Sequence, residues 1–267
     1  MRHLLSPEGV RALQAVMQLR PILAFDFDGT LAPIVDNPDD ARVPERVTRA
    51  LAALGTSFSV AIITGRRVAD VRPRLGFEPQ HVIGNHGAED PLVAPPPSAC
   101  DALDELRERI TLRHHAIEAA GVEVEDKGLS LALHYRRAPD AGAALVCIEA
   151  LLLGIEPALK RFGGKCVVNI VAAGVADKGD ALVALVHRSG ARSAVFFGDD
   201  VNDEAVFIRA EPQWLTVRVG RDPLSRAMFY LDSDEELLPV LEQMLAARPP
   251  EEPRRTPART LPPSRRG

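Results

Sequence analysis

Pro21-Ile22-Leu23-Ala24-Phe25-Asp26-Phe27-Asp28-Gly29-Thr30-Leu31 is the stretch on which the fold turns. Four apolar residues, Ile22 to Phe25, run straight into two carboxylates one residue apart. Such a run fits a strand covered on both faces, as in a parallel sheet flanked by helices. Side chains alternate along a strand, so where the extended geometry continues Asp26 and Asp28 project the same way, their Cα atoms about 7 Å apart. Gly29 permits a sharp exit that a residue with a Cβ makes only at a cost. Carboxylates at the C-terminal end of a buried strand sit where open α/β sheets bind ligands. The plainer alternative is a strand followed by a polar turn, because Asp, Gly and Thr are common turn formers.

Outward from this stretch, strand and helix alternate. Ser6-Pro7-Glu8 reads as a helix N-cap with a first-turn proline and acid, opening a helix to about Gln18. Pro33 to Pro44 is a polar loop, and Glu45 to Leu54 is helical on the spacing of Val47, Leu51 and Leu54. Phe58 to Ile63 is a second buried strand ending in Thr64-Gly65-Arg66. A helix over Arg67–Leu75 and a short strand, His81 to Ile83, lead into Gly84-Asn85-His86-Gly87. After a proline-rich segment the rhythm changes. A helix from Cys100 to Ala120 is expected, then strands over Val122–Asp126 and Leu129–Arg136 joined at Lys127-Gly128. A helix over Asp140–Leu153 and strands over Pro157–Phe162 and Lys165–Val171 complete this block. Alternation resumes with a helix over Lys178–His187 and a strand over Ala194–Phe197 that enters Gly198-Asp199-Asp200-Val201-Asn202-Asp203. Leu215 to Val219 is a further strand, and Glu235 to Ala247 a closing helix.

The expected architecture is therefore α/β: a Rossmann-like doubly wound parallel sheet with an inserted α+β cap domain. An N-terminal helix occupies 1–19, the doubly wound core 20–99 and 176–247, and the inserted domain 100–175. The tail 248–267, rich in Pro and Arg, is expected to be disordered.

Composition bounds the function. The chain has 267 residues, 46% hydrophobic and 26% charged, with a net charge of −5. That is ample for a sizeable core and offers no global basic field for nucleic acid. Cys100, Cys147 and Cys166 share no metal-like spacing and read as ordinary thiols. No apolar run is long enough to span a membrane, and no secretory signal opens the chain. A cytoplasmic monomer is expected.

The second strand end of interest brings Asp199, Asp200 and Asp203 towards Asp26 and Asp28 if the two strands are neighbours. Without a cation such a cluster repels itself. Oxygen ligands with no nearby His or Cys favour a hard ion, and Mg²⁺ held by carboxylates and substrate phosphate suits the pattern. A carboxylate beside it can attack phosphorus to form an aspartyl phosphate. Thr64 offers a hydroxyl at a strand end, and Lys178, in Asp177-Lys178-Gly179-Asp180, offers an ammonium at a helix start. Both suit the charge spread over a transferring phosphoryl group.

The order D-x-D-G-T, Thr, Lys, G-D-D-x-x-D resembles the haloacid dehalogenase (HAD) superfamily of phosphohydrolases. That resemblance implies Asp26 as nucleophile and Asp28 as general acid and then base. It also implies Thr64 and Lys178 on the phosphoryl oxygens, and Asp26, Asp28 (through its carbonyl), Asp199 and either Asp200 or Asp203 around Mg²⁺. Within the superfamily, Asp26 to Val35, His86-Gly87-Ala88-Glu89, Glu125-x-Lys127-Gly128, His134-Tyr135-Arg136 and Gly164-Lys165-Cys166-Val167-Val168 are similar to the trehalose-6-phosphate phosphatase family. The similarity implies a small-molecule sugar phosphate as substrate, met by Gly65, Arg66, His86, Glu125, Lys127, Arg136, Lys165 and Asn169. Lys127 could instead be a turn lysine, Arg66 a tie between helix and loop, and His134 and Tyr135 cap packing. Asn169 stands where that family usually has glutamate, and it can donate and accept hydrogen bonds without carrying charge. Other sugar-phosphate phosphatases, a phosphomutase using the same intermediate, and a catalytically idle sugar-phosphate sensor are the competing functions.

Overall fold

The computed structural model describes residues 1–94, 96–155, 157–164 and 166–248. The disordered tail expected over 248–267 falls, beyond Arg248, outside the described residues, and so does Lys165. The chain opens with β1 (Arg2–His3) and α1 (Pro7–Gln18), followed by β2 (Ile22–Phe25) and α2 (Glu45–Leu54). Next come β3 (Val60–Ile63), α3 (Val68–Leu75) and β4 (His81–Ile83). The insertion holds α4 (Pro97–Leu112), α5 (His114–Ala119), β5 (Glu123–Asp126), β6 (Ser130–His134), α6 (Ala141–Leu152), β7 (Leu159–Gly164) and β8 (Val167–Ala172). The chain then returns through α7 (Lys178–Ser189), β9 (Ala194–Gly198), α8 (Glu204–Arg209), β10 (Leu215–Val219), β11 (Phe229–Leu231) and α9 (Leu237–Ala246).

The large sheet runs β1-β11-β10-β9-β2-β3-β4 with every pairing parallel. Its strands are buried on both faces, so their side chains divide by parity between two cores. Leu23, Phe25, Val60, Ile62, Val195 and Phe197 pack on one side with residues of α1, α2 and α9. Ile22, Ala24, Ala61, Ile63, Ala194 and Phe196 pack on the other with residues of α7 and α8. Phe25 and Phe197 are register partners and stack with centroids 5.2 Å apart. The Ser6 hydroxyl caps α1 by accepting from the Gly9 N–H, which seats Leu13 and Met17 on the first core.

The insertion is a separate antiparallel sheet, β5-β6-β8-β7. Leu131, Leu133 and Ile170 face α4, α5 and α6 in its own core. Directly opposed residues share a face, so Glu125, Ala132, Asn169 and Phe162 form a row across the other side. The single helix expected from Cys100 to Ala120 is broken at Arg113, which leaves helical geometry at φ −112°, ψ 15°. The break re-aims α5 so that Ile117 enters the cap core. Strands β1 and β11, of two and three residues, are too short to carry a periodic signal and were not anticipated. Among the described residues no helix is long and apolar enough to cross a membrane.

Candidate active site

Because β2 lies between β9 and β3, the three strand ends carrying Asp26, Asp199 and Thr64 are adjacent. The Asp26 N–H donates to the Phe197 carbonyl at 2.8 Å, continuing the β2–β9 ladder into the motif. Asp26 is buried. Its Oδ1 accepts the Phe27 N–H at 2.7 Å, and its Oδ2 lies 2.9 Å from Lys178 Nζ. Lys178 is the first residue of α7, whose N-terminus is closed by a reciprocal capping box between Asp177 and Asp180. Only 1% of its side chain is exposed, and its ammonium also meets Asp203 Oδ1 at 2.8 Å. Burial alone would lower the Lys178 pKa; the charges of Asp203 and Asp26 outweigh it and push the value up. Asp26 is pushed well above the usual carboxylate range by burial, with Lys178 pulling down and Asp203 and Asp199 pushing up.

Oxygens of Asp26, Asp199 and Asp203 lie within 4.8 Å of one another, a group able to hold a cation. The donor set is all oxygen, three carboxylates against one ammonium, which fits a hard divalent ion. Gly29 is essential to this geometry: it adopts φ +80°, and a Cβ there would fall 2.2 Å from Asp199 Oδ2. Gly198 makes room for Asp203 in the same way, since its Cβ would fall 2.3 Å from Asp203 Cγ.

Of the two alternatives the sequence left open, Asp203 is the third carboxylate of this group and Asp200 lies outside it. Asp200 turns back to cap the short helical turn after β9, accepting from the Val201 N–H at 2.7 Å and Asn202 Nδ2 at 3.2 Å. Asp203 in turn accepts the Asp200 N–H through Oδ2 at 2.9 Å, so both of its oxygens are engaged. The side chain of Asp28 also stands apart from the acidic group. Arg66 grips it in a fork, Nε to Oδ2 at 2.8 Å and Nη2 to Oδ1 at 2.7 Å. Arg66 further donates to Asp70 Oδ2 at 3.0 Å and to the Pro38 carbonyl at 2.9 Å. Arg66 thus ties Asp28 to α3 and to the loop before α2. Thr64 is fully buried; its Oγ1 accepts the Arg66 N–H at 3.2 Å, which leaves the hydroxyl hydrogen to donate.

On the cap side, Lys127 Nζ lies 3.5 Å from Glu125 Oε2 and donates to the Gly65 carbonyl at 3.4 Å, bridging cap to core. Glu125 also meets His134 Nε2 at 3.1 Å, and that partner leads the interactions holding its carboxyl below the usual range. Phe162 stands edge-on to His86 with ring centroids 4.8 Å apart. His86 is buried, and both of its ring nitrogens lack a hydrogen-bond partner among the described residues. Burial drives its pKa well down, the charges of Lys178 and Lys127 push the same way, and Asn169 opposes. The imidazole is therefore neutral at pH 7. Asn169 is buried in the row facing it, whereas Arg136 is exposed in the turn after β6. Reading the sequence missed Phe162, Asn85 and Ser130 at this junction, since none carries a chemical signature apart from its partner.

A doubly wound parallel sheet, an acidic group with a buried lysine at its strand ends, and an inserted antiparallel cap give the chain the haloacid dehalogenase-like fold. The chain belongs to the trehalose-phosphatase family, whose model matches residues 24–226. It is 34% identical over 189 residues to the trehalose-6-phosphate phosphatase of Escherichia coli, covering 68% of this chain and 71% of that protein. It is also 34% identical over 258 residues to an uncharacterized glycosyl hydrolase of Mycobacterium tuberculosis, covering 87% of this chain and spanning only 19% of that longer protein. Among solved structures, the C-terminal domain of the C. albicans trehalose-6-phosphate phosphatase superposes with a TM-score of 0.73 at 22% identity. That match covers 89% of this chain and 97% of the other.

Proposed function

We propose that the chain is a Mg²⁺-dependent phosphatase that releases inorganic phosphate from trehalose 6-phosphate through an aspartyl phosphate on Asp26. The observation that carries the reading is the buried Lys178, held between Asp26 and Asp203 at 2.9 and 2.8 Å beside Asp199. A carboxylate placed there is fixed in position and faces a charge that will meet the phosphoryl oxygens.

In the reaction proposed, an Asp26 oxygen bonds to phosphorus as the bond from phosphorus to the sugar oxygen breaks. Asp28 gives that leaving oxygen its proton. Asp28 then takes a proton from the water that attacks phosphorus and frees Asp26. Its grip by Arg66 holds the carboxylate in place. To act as an acid Asp28 must leave that fork, which makes Arg66 a positioning residue for the proton donor. Lys178 and the Thr64 hydroxyl neutralise the equatorial oxygens. Asp26 and Asp199, with the Asp28 carbonyl, would hold Mg²⁺, which supplies further positive charge there when bound. From the cap, Glu125, Lys127, Arg136 and Lys165 would meet sugar hydroxyls or phosphate, while the neutral pair His86 and Asn169 suits uncharged hydroxyls. The family match and the E. coli relative support trehalose 6-phosphate as the sugar phosphate.

Phosphate release from a panel of sugar phosphates, with Mg²⁺ and with EDTA, tests this. Trehalose 6-phosphate should be turned over fastest, EDTA should abolish release, and Asp26→Asn should be inactive. Preference for another phosphate overturns the substrate, an isomeric sugar phosphate as product indicates a mutase, and an active Asp26→Asn overturns the mechanism.

A further inference from the structure

The core loop that carries His86 is left-handed at two successive residues other than glycine, Asn85 at φ 49° and His86 at φ 59°. Asparagine is at ease there, but a histidine following it persists only where neighbours dictate the backbone. Those neighbours belong to the turn after β3. The Asn85 N–H donates to the Arg66 carbonyl at 2.8 Å, and the His86 N–H donates to the Thr64 carbonyl at 2.9 Å.

Through its side chain the same asparagine reaches the cap. Asn85 is 1% exposed, and its Oδ1 accepts the hydroxyl of Ser130, also 1% exposed, at 2.6 Å. Its Nδ2 donates to Glu89 Oε2 at 2.6 Å and to the Lys127 carbonyl at 3.3 Å. Glu89 Oε2 accepts in addition the Val68 N–H at the start of α3, at 3.0 Å. Through its backbone, its buried amide and Glu89, Asn85 thus links the turn after β3, the start of α3, the hairpin turn Lys127–Ser130 and its own loop.

We propose that Asn85 is the positioning residue that seats the cap on the phosphate-binding turn. Its backbone fixes the Thr64–Arg66 turn while its side chain fixes the start of β6, so cap seating and the shape of the phosphate site are a single adjustment. The seat holds Lys127 over Gly65 and Phe162 against His86, the contacts that place cap specificity groups above Asp26. This deepens the function proposed above and rests on it for its kinetic arm alone.

The test uses the whole chain with Asn85→Ala and, should that variant fold poorly, Ser130→Ala, which removes only the cap half of the contact. Hydrogen exchange should accelerate on the order of tenfold at the amides of Lys127 and Leu129 in the hairpin turn. Amides in the centre of β8 should exchange as in the parent chain. With trehalose 6-phosphate, KM should rise on the order of tenfold while kcat stays within about threefold, because a saturating substrate restores the seat. A residue serving the fold alone would lower kcat through lost folded enzyme at constant KM, and that result overturns the proposal. Unchanged exchange at the hairpin turn in both variants overturns it as well. If no sugar phosphate is turned over by the parent chain, the function proposed above fails, while the exchange result still decides the seating.

Discussion

Asp203 and Asp26 both touch Lys178, yet replacing each with asparagine should change stability by very different amounts in metal-free protein. Asp203 is wholly buried, and each of its oxygens has a donor, Lys178 Nζ at 2.8 Å and the Asp200 N–H at 2.9 Å. In Asp203→Asn one of those donors must face the new NH₂ group, which has nothing to accept with. Breaking a buried, hydrogen-bonded ion pair from one side typically costs about 3–5 kcal/mol. With roughly 2–4 °C of Tm per kcal/mol for a chain of this size, Tm should fall by roughly 6–20 °C. Asp26 is different: its ionised form is opposed by burial and by Asp203 and Asp199, with Lys178 and the Phe27 N–H in its favour. Asp26→Asn also turns an NH₂ group toward a donor, but it removes that opposed charge and leaves Lys178 paired to Asp203, so its Tm in EDTA should fall far less than that of Asp203→Asn. Thermal unfolding of the three proteins in EDTA and in Mg²⁺ is the assay. In Mg²⁺ the parent should gain stability and Asp26→Asn should gain much less. Equal destabilisation by both substitutions in EDTA would refute the assignment of Asp203 as the anchor of Lys178 and Asp26 as the crowded, reactive carboxylate.

The remaining expectations are narrower. Because the folded-state pKa of Asp26 is raised, its contribution to stability is fully present below its ordinary value of 3.8 and is lost as pH rises through the folded value. The stability of Asp26→Asn relative to the parent should therefore climb with pH in EDTA, read by urea unfolding across pH 4–8, and a flat difference contradicts it. Gly29→Ala places a methyl on Asp199 at a positive φ and should lower kcat on the order of a hundredfold with weaker Mg²⁺ affinity by titration. Normal Mg²⁺ binding in that variant would show the cradle to be dispensable. Arg66→Lys keeps the charge but not the fork on Asp28, so it should lose activity nearly as far as Arg66→Ala, on the order of tenfold to a hundredfold, in steady-state assays.

What could be read from the chain, and what could not, follows from how far each contact reaches. Asp26 and Asp28 announce themselves because an apolar strand, a pair of acids and a glycine are contiguous, but β2 ends at Phe25 and Asp28 is held by Arg66, apart from the acidic group of Asp26. Lys178 sits at a helix start with its own capping box, so its element could be read even though its partners could not. The choice between Asp200 and Asp203 was not open to such reading. Both lie in one acidic turn, and only the hydrogen bonds that fold Asp200 back onto Val201 send Asp203 inward to the lysine. Arg66 shows the same limit: its side chain can span several partners, and the fork on Asp28 exists only once β2 and β3 are paired. The cap junction lies furthest from legibility, because Asn85, Ser130 and Phe162 are ordinary residues whose meaning is wholly in what they touch across the two sheets. Chemistry that depends on residue type is written locally in this chain. The registration of cap on core depends on hydrogen bonds between distant segments, and it is there that a substitution could redirect specificity without disturbing a single catalytic group.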